Sequence, residues 1–248
     1  MSHYQLGVII KNLEDLEDAL APFNENLEVE PYVRQTAEEL IAEAKERLKC
    51  YDPSEKPDEY EEKLLKCVTD ADFLKAYIDY WKDEEEFDKK GNRLSTYNPN
   101  SKWDWWVICA KGKWARFVNP KIPTGYCKVK DLEIKPDPEE YEIMQRWWEL
   151  VVEEQPLKEG EEQPFNLYKK EYYIEQYGTK ENFAYIQSIP KPYALLVDGT
   201  WYEEGQMGWF GVDDSTKEKK ETFLETYKRI MADEKYQDHY IVFVDCHI

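Results

Sequence analysis

The chain has 248 residues, and its 53 Asp and Glu residues outnumber its 33 Lys and Arg residues, so the formal charge at pH 7 is −20. A molecule this acidic repels duplex nucleic acid and anionic membranes, which excludes both as partners of the surface as a whole. Aromatic residues make up 15% of the chain, a content that argues against extended disorder. We expect a single domain spanning residues 1–248.

The sequence also carries expectations about compartment and cofactors. Its first residues do not resemble a signal peptide, and no run approaches the ~18 apolar residues of a membrane span. Five cysteines occur without any C-x-x-C spacing, which is typical of reduced thiols and not of a disulfide framework or a structural zinc site. We therefore expect a cytoplasmic protein that binds no metal and no cofactor.

The first hundred residues predict one strand followed by helices. The predicted elements are a strand over 3–10, a helix over 37–49, a further helix within 60–68 and a helix that begins at Thr69 or Asp70 and runs past Glu85. Thr36 and Glu39 have the spacing of a capping box, in which each side chain bonds the other residue's backbone N–H. Apolar residues three and four apart then mark the buried helical faces. These segments form a predicted helical insertion of about residues 30–90.

The rest of the chain mixes hairpins with helices. The patterns predict a loop over 91–100, a hairpin of 103–108 and 113–118 around Gly112, a helix from Asp137 to about Glu154, a loop over 155–164, a short helix over 168–177, a hairpin of 193–197 and 201–204 around Asp198-Gly199, a helix after Ser215 and a strand over 240–244. Regular alternation of strand and helix is missing. We therefore expect the α+β class, with a mostly antiparallel sheet, a ferredoxin-like core and helices on one face.

The sign of the charge reverses in one segment, residues 102–135. It holds eight basic and three acidic residues, a local charge of +5, which leaves −25 on the rest of the chain. The same segment contains Trp103, Trp105, Trp106 and Trp114. Planar rings can stack on a nucleobase, and Lys or Arg can neutralise a phosphate, so the segment favours a nucleotide-like ligand.

A structural interpretation of this segment stays open beside the functional one. The four tryptophans could alternate into a core while the lysines cover the solvent face of a hairpin. Trp103 and Trp105 share one strand face while Asp104 and Trp106 share the other, so at least one large ring should lie at a surface, a rim or a second layer. Asp104 could simply accept hydrogen bonds from a nearby loop.

A glycine-rich loop, Gly205-Gln-Met-Gly-Trp-Phe-Gly211, precedes the capped helix at Ser215. Backbone N–H groups at such a junction can receive an anion. The alternative is an ordinary turn whose Trp209 packs into the core. Asp213 and Asp214 would oppose a phosphate at this helix start.

All three histidines lie in or beside the first and last predicted strands, at His3, His239 and His247. Asp245 and His247 are two residues apart and therefore share one strand face, as an acid–base pair or a metal site requires. If the two strands are neighbours, His3 approaches one end of the last strand. No third ligand for a metal can be named, and a merely structural role for these residues stays open.

Three blocks of the sequence resemble a family of uncharacterised phage and bacterial proteins. The blocks are Asn98 to Trp106, which contains Asn-Pro-x-Ser-Lys-Trp-Asp-Trp, then Gly205 to Gly211, which matches Gly-x-Met-Gly-Trp-Phe-Gly, and Asp245 to Ile248, which matches Asp-Cys-His-Ile. The family's intervening Gly-Gly-Arg-Trp is replaced here by Ala-Lys-Gly-Lys-Trp114, so Lys113 stands where an arginine is expected. The resemblance implies a phage accessory protein in the host cytoplasm, which counters host defence by sequestering a nucleotide signal or by blocking a host protein.

These observations lead to three hypotheses. The first is an anti-defence protein that binds a nucleotide-derived small molecule without catalysis. The second is an acidic inhibitor that mimics nucleic acid and binds a host defence protein. The third is a nucleotide or phosphodiester hydrolase that uses Asp104, Asp245, His247 and His3.

The candidate ligand-binding residues come from the charge-reversed segment, the glycine-rich loop and the last residues of the sequence. They are Asn98, Lys102, Trp103, Asp104, Trp105, Trp106, Lys111, Lys113, Trp114, Met207, Gly208, Trp209, Asp245 and His247.

Overall fold

The computed structural model describes residues 2–208 and 211–248. These residues form nine strands: β1 (His3–Ile10), β2 (Tyr32–Gln35), β3 (Glu86–Phe87), β4 (Arg93–Ser95), β5 (Trp105–Ile108), β6 (Tyr126–Lys128), β7 (Ala194–Val197), β8 (Thr200–Glu203) and β9 (Tyr240–His247). They also form eight α-helices: α1 (Leu16–Leu20), α2 (Ala37–Lys49), α3 (Glu59–Leu64), α4 (Asp70–Trp81), α5 (Pro138–Val151), α6 (Lys170–Tyr177), α7 (Lys180–Ser188) and α8 (Lys217–Ala232).

The larger sheet has the strand order β5-β9-β1-β7-β8, and β6 also pairs with β9. The central pair, β1 and β9, is antiparallel along all eight residues of each strand. Only the β1–β7 pair is parallel among the described strands. The α+β class with a mostly antiparallel sheet is thus confirmed. A ferredoxin-like core is not confirmed, because β1 pairs directly with the parallel strand β7, whereas the split βαβ unit inserts another strand.

The two faces of this sheet bury separate apolar clusters, because successive side chains of a strand point to opposite faces. Even-numbered residues of β1, such as Leu6 and Val8, pack with α1. Odd-numbered residues, such as Ile9, pack with α8. His3 and His247 continue the odd-numbered rows beyond this second cluster, at one end of the β1–β9 pair.

The chain divides into two compact units, residues 26–101 and the remainder. The 26–101 unit contains α2, α3 and α4 and the small antiparallel sheet β2-β4-β3, of which β4 lies inside the predicted loop over 91–100. The predicted helix over 37–49 is confirmed, and Thr36 and Glu39 form the expected capping box. The core of this unit gathers Leu40, Ala44, Leu64, Phe73 and Tyr77.

Helix α4 ends earlier than predicted. It stops at Trp81, and the backbone N–H groups of Glu84 and Glu85 both bond to the Trp81 carbonyl in a turn. The physical reason is the run of four acidic residues at 83–86, since carboxylates at a helix C-terminus oppose the helix dipole.

The predicted hairpin of 103–108 and 113–118 is wrong. Residues 105–108 do form β5, but its partner is β9, and 113–118 form a loop. The long apolar strand β9 supplies the ladder hydrogen bonds that the hairpin would have made. The next segment, 119–124, contains two prolines, which lack the N–H group that a ladder needs.

Sequence signals for the C-terminal half agree better with the structure. The Asp198-Gly199 hairpin is confirmed as β7 and β8. Asp137 caps α5 as expected, whereas the cap of α8 is Thr216, one residue after Ser215. Helix α7 has no counterpart among the predicted elements. Throughout the described ranges, every helix is too short or too polar to cross a membrane.

The close packing at Gly125 gives a testable consequence. A Cβ there would lie 2.6 Å from Cγ2 of Ile108, whereas Gly160 has open space, and both glycines have a φ near +80°. Gly125→Ala and Gly160→Ala therefore share the cost of a left-handed alanine, but only the first adds overpacking. We expect Gly125→Ala to lower the free energy of unfolding by about 1–3 kcal/mol more than Gly160→Ala. Urea denaturation followed by circular dichroism measures both, and equal losses would contradict the packing.

Candidate functional site

Three strands bring the candidate site together at one end of the larger sheet. His247 of β9 lies directly opposite His3 of β1 on one side and Trp105 of β5 on the other. One row further along, Asp245 lies opposite Gln5. Since side chains two residues apart share a face, both rows lie on the same face.

The first acid–base pair is buried. Nδ1 of His3 lies 2.9 Å from Oδ1 of Asp245, and only 4% of the His3 side chain is exposed. The Asp245 side chain is completely buried, and its second oxygen accepts the backbone N–H of Arg116 at 2.7 Å. Both carboxylate oxygens therefore have donors, which offsets the cost of burying the charge.

The second pair is closer to the surface. Nδ1 of His247 lies 2.6 Å from Oδ1 of Asp104. The backbone N–H of Asp104 also bonds to the carbonyl of His247, so the pair is held by main chain and side chain together. Asp104 directly precedes β5, and the pairing of β5 with β9 places its carboxylate beside the end of β9.

The two imidazole rings are neighbours. Their centroids lie 5.0 Å apart, and the ring planes meet at 72°. An ionised carboxylate can only accept a hydrogen bond, so it holds Nδ1 of each ring as the donor and leaves Nε2 of a neutral ring with the lone pair. The His247 side chain is 16% exposed and the His3 side chain 4%, so His247 is the more accessible ring and His3 lies directly behind it. Adjacent imidazoles are the groups that can act as a base and an acid in one reaction.

Two tryptophans adjoin the histidine pair. The ring centroids of Trp105 and Trp114 lie 6.5 and 5.9 Å from that of His3, and 5.4 Å from each other. Trp105 is 40% exposed and Trp114 is 70% exposed. Exposed indole faces beside two imidazoles are suited to stacking on a planar ligand.

Cationic side chains lie on the same loop as Trp114. Lys111, Lys113 and Arg116 are exposed, and no carboxylate within the described ranges forms an ion pair with them. Lys102 differs, because its Nζ lies 2.8 Å from Glu203. Three of these four cations are thus left to attract an anion.

The thiols near the site are poor nucleophiles. Burial raises the pKa of the Cys109 thiol to about 12, so it stays protonated at neutral pH. Burial also raises the pKa of the Cys246 thiol, and this residue points to the opposite face of β9. Neither cysteine supplies a thiolate for covalent catalysis.

Several predicted site residues lie elsewhere. Trp103 is buried in the core, and Trp106 and Met207 pack against that same cluster, on the face opposite His3. Asn98 is buried in the 26–101 unit. Trp209 lies outside the described residues.

The glycine-rich loop has little capacity left for an anion where it is described. The N–H groups of Gln206, Gly208 and Gly211 are donated to Asp214, to the Val212 carbonyl and to the Ser2 hydroxyl. The Ser2 hydroxyl in turn donates to the Gly208 carbonyl. The loop is therefore hydrogen-bonded to Ser2, the residue next to His3.

The structure thus brings together Asp104, Trp105, Trp114, Asp245 and His247, and adds two groups. Sequence reasoning assigns His3 to the hydrolase hypothesis but not to the ligand-binding set, and the backbone N–H of Arg116 gives no sequence signal. The shared strand face of Asp245 and His247 is the available clue, because a first strand paired with the last one places His3 opposite.

Comparison of the chain with protein-family models, curated proteins and solved structures gives no match. Within residues 2–208 and 211–248, no three His, Cys, Asp or Glu side chains converge in a way that would hold a metal ion.

Substitution of Asp245 and of Asp104 should lower the stability of the protein by different amounts. Asp245→Asn replaces an acceptor that faces two donors in a buried place, so one donor loses its partner or meets an N–H₂ group. We expect a loss of about 1–3 kcal/mol in the free energy of unfolding. Asp104→Asn, at a partly exposed pair, should cost less than about 1 kcal/mol. Urea denaturation of the two variants checks this, and a larger loss for Asp104→Asn would contradict it.

Proposed function

We propose that this protein binds a nucleotide-derived small molecule and cleaves a phosphodiester bond in it by general acid–base catalysis. The observation that carries the proposal is the pair of adjacent imidazoles, His3 and His247, each held at Nδ1 by its own aspartate. This is the third of the sequence-based hypotheses, and it uses all four residues named there.

The reaction divides the work between the two rings. One neutral imidazole takes a proton from the attacking hydroxyl at Nε2, while the other, protonated, gives a proton to the leaving oxygen. Each positioned proton transfer contributes ~10²–10⁴-fold. Asp245 and Asp104 keep the rings in the required tautomer and stabilise the charge that develops on the imidazole acting as base.

Recognition of the ligand falls to the neighbouring loop and strand. Trp114 and Trp105 offer faces for a nucleobase, and such stacking is worth ~1–3 kcal/mol per base. Lys111, Lys113 and Arg116 carry charge that a phosphate can use. The chain as a whole has a charge of −20, and these cations are a local exception to it. A small anionic ligand is therefore favoured over a long polyanion.

Sequestration without catalysis uses the same aromatic and cationic groups, but it requires no proton transfer from the two oriented imidazoles. A phage anti-defence context suits either activity, since cleavage of a nucleotide signal and its retention by the protein both lower the concentration of free signal. The acidic-inhibitor hypothesis stays a prediction from composition.

The test is incubation with a panel of dinucleotides and cyclic dinucleotides, followed by heating and mass spectrometry of the released small molecules. We expect the wild-type protein to release cleaved products. His247→Asn should reduce the rate at least ~100-fold, because it removes one proton transfer. The matched control is His239→Asn, a histidine just before the opposite end of β9, which should cleave like the wild type.

Two results would contradict this assignment. Release of an intact ligand by the wild-type protein would favour sequestration. Equal losses in His247→Asn and His239→Asn would remove the paired imidazoles from the reaction.

A further inference from the structure

We infer that the substrate is a short ribonucleotide and that its own 2′-hydroxyl, adjacent to the scissile phosphodiester, is the nucleophile. This inference rests on the proposed function and specifies its substrate class. Two observations support it. The site contains two proton-transfer groups, and the described hydroxyl and thiol side chains around it do not supply a nucleophile.

The protein's own hydroxyl and thiol groups next to the pair are already committed. The Ser2 hydroxyl donates to Gly208 and accepts from Gly211. The Tyr4 hydroxyl donates to the Lys102 carbonyl, and burial raises its pKa well above the ordinary value. With Cys109 and Cys246 kept as thiols, the attacking oxygen has to come from the substrate or from water.

A neighbouring hydroxyl in the substrate is the better match to this site. Intramolecular attack replaces a bimolecular encounter and reaches effective molarities of ~10⁵–10⁸ M. Two imidazoles then suffice, because the nucleophile needs only to lose a proton and the leaving oxygen only to gain one. Ribonucleotides carry such a hydroxyl beside a 3′-linked phosphate, and deoxyribonucleotides do not.

The step balances without a co-reactant. One imidazole Nε2 accepts the 2′-OH proton as the O2′–P bond forms. The P–O5′ bond breaks, and O5′ takes its proton from the other, protonated imidazole. The products are a 2′,3′-cyclic phosphate and a free 5′-hydroxyl, and the two rings have exchanged protonation states. No water enters this step.

The surroundings of the pair set the size of the substrate. Trp114 adjoins His3 and is mostly exposed, so a base beside the scissile phosphate can stack on it. The rest of the chain carries a charge of −25, which disfavours a long polyanion as the substrate. Dinucleotides and cyclic dinucleotides meet both conditions.

The experiment compares adenylyl-3′,5′-adenosine with its 2′-deoxy and 2′-O-methyl counterparts, and cyclic diadenylate with its deoxy form, in water enriched in ¹⁸O. We expect cleavage of the ribonucleotides at least ~10³-fold faster than of the analogues, because the analogues lack the positioned hydroxyl. The first product should be a 2′,3′-cyclic phosphate without ¹⁸O, identified by liquid chromatography and mass spectrometry.

Two variants separate recognition from chemistry. Trp114→Ala should raise KM about tenfold or more with little change in kcat, because the exposed ring stacks on the substrate and transfers no proton. Phe165→Ala, at an exposed aromatic residue that does not belong to the site, is the control and should leave both constants unchanged.

The outcomes distinguish this inference from the proposed function. Cleavage of the deoxy analogues within about tenfold of the ribonucleotides, or ¹⁸O in the first product, would overturn the 2′-hydroxyl as nucleophile and leave acid–base cleavage standing. If the wild-type protein cleaves none of these substrates while other phosphodiesters of the panel are cleaved, the substrate class is wrong. If no phosphodiester is cleaved, both proposals fall.

Discussion

The antiparallel pairing of β1 with β9 is the interaction on which the rest of this structure depends. It joins all eight residues of both strands and places His3 opposite His247. A slip of one residue would turn one of these side chains to the other face and separate the rings. The register is specified by burial, since Leu6 and Val244, which lie opposite each other, are completely buried on the other face. Core packing thus sets the geometry of the acid–base groups, although the two lie on opposite sides of the sheet.

Stability alone does not account for the two His–Asp pairs. A buried ion pair can often be replaced by apolar residues without loss of stability, because desolvation offsets the Coulomb attraction. Asp245 is completely buried and needs two donors, from His3 and from the Arg116 backbone, to be tolerated there. The Asp104–His247 pair lies nearer the surface, where ion pairs contribute little. Two costly or weak pairs side by side therefore support the proposed acid–base function, which needs oriented imidazoles.

The parts of this fold that the sequence predicts are those with local signals. The capping box at Thr36 and the Asp198-Gly199 turn are read from residues a few positions apart, and both are confirmed. The shared face of Asp245 and His247 follows in the same way from strand alternation. The partners of the two histidines do not, because they depend on which strands become neighbours in the sheet. The sequence predicts a local hairpin for β5, whereas β5 pairs with β9. The contact between Asp104 and His247 depends on that pairing, so the local signals do not predict it.

In the proposed function, proton transfer and ligand recognition fall to different parts of the chain. Acid–base groups lie on or beside paired strands, whose hydrogen bonds restrict how far the two rings can move apart. Trp114 and the exposed cations lie on the loop between β5 and β6, which the Arg116 N–H ties to Asp245 and the Phe117 carbonyl ties to Gln5. A ligand that stacks on Trp114 therefore acts on a segment bonded to the same carboxylate that orients His3. Under the proposed function, changes in the loop would alter substrate choice, while the paired strands would preserve the positions of the two imidazoles.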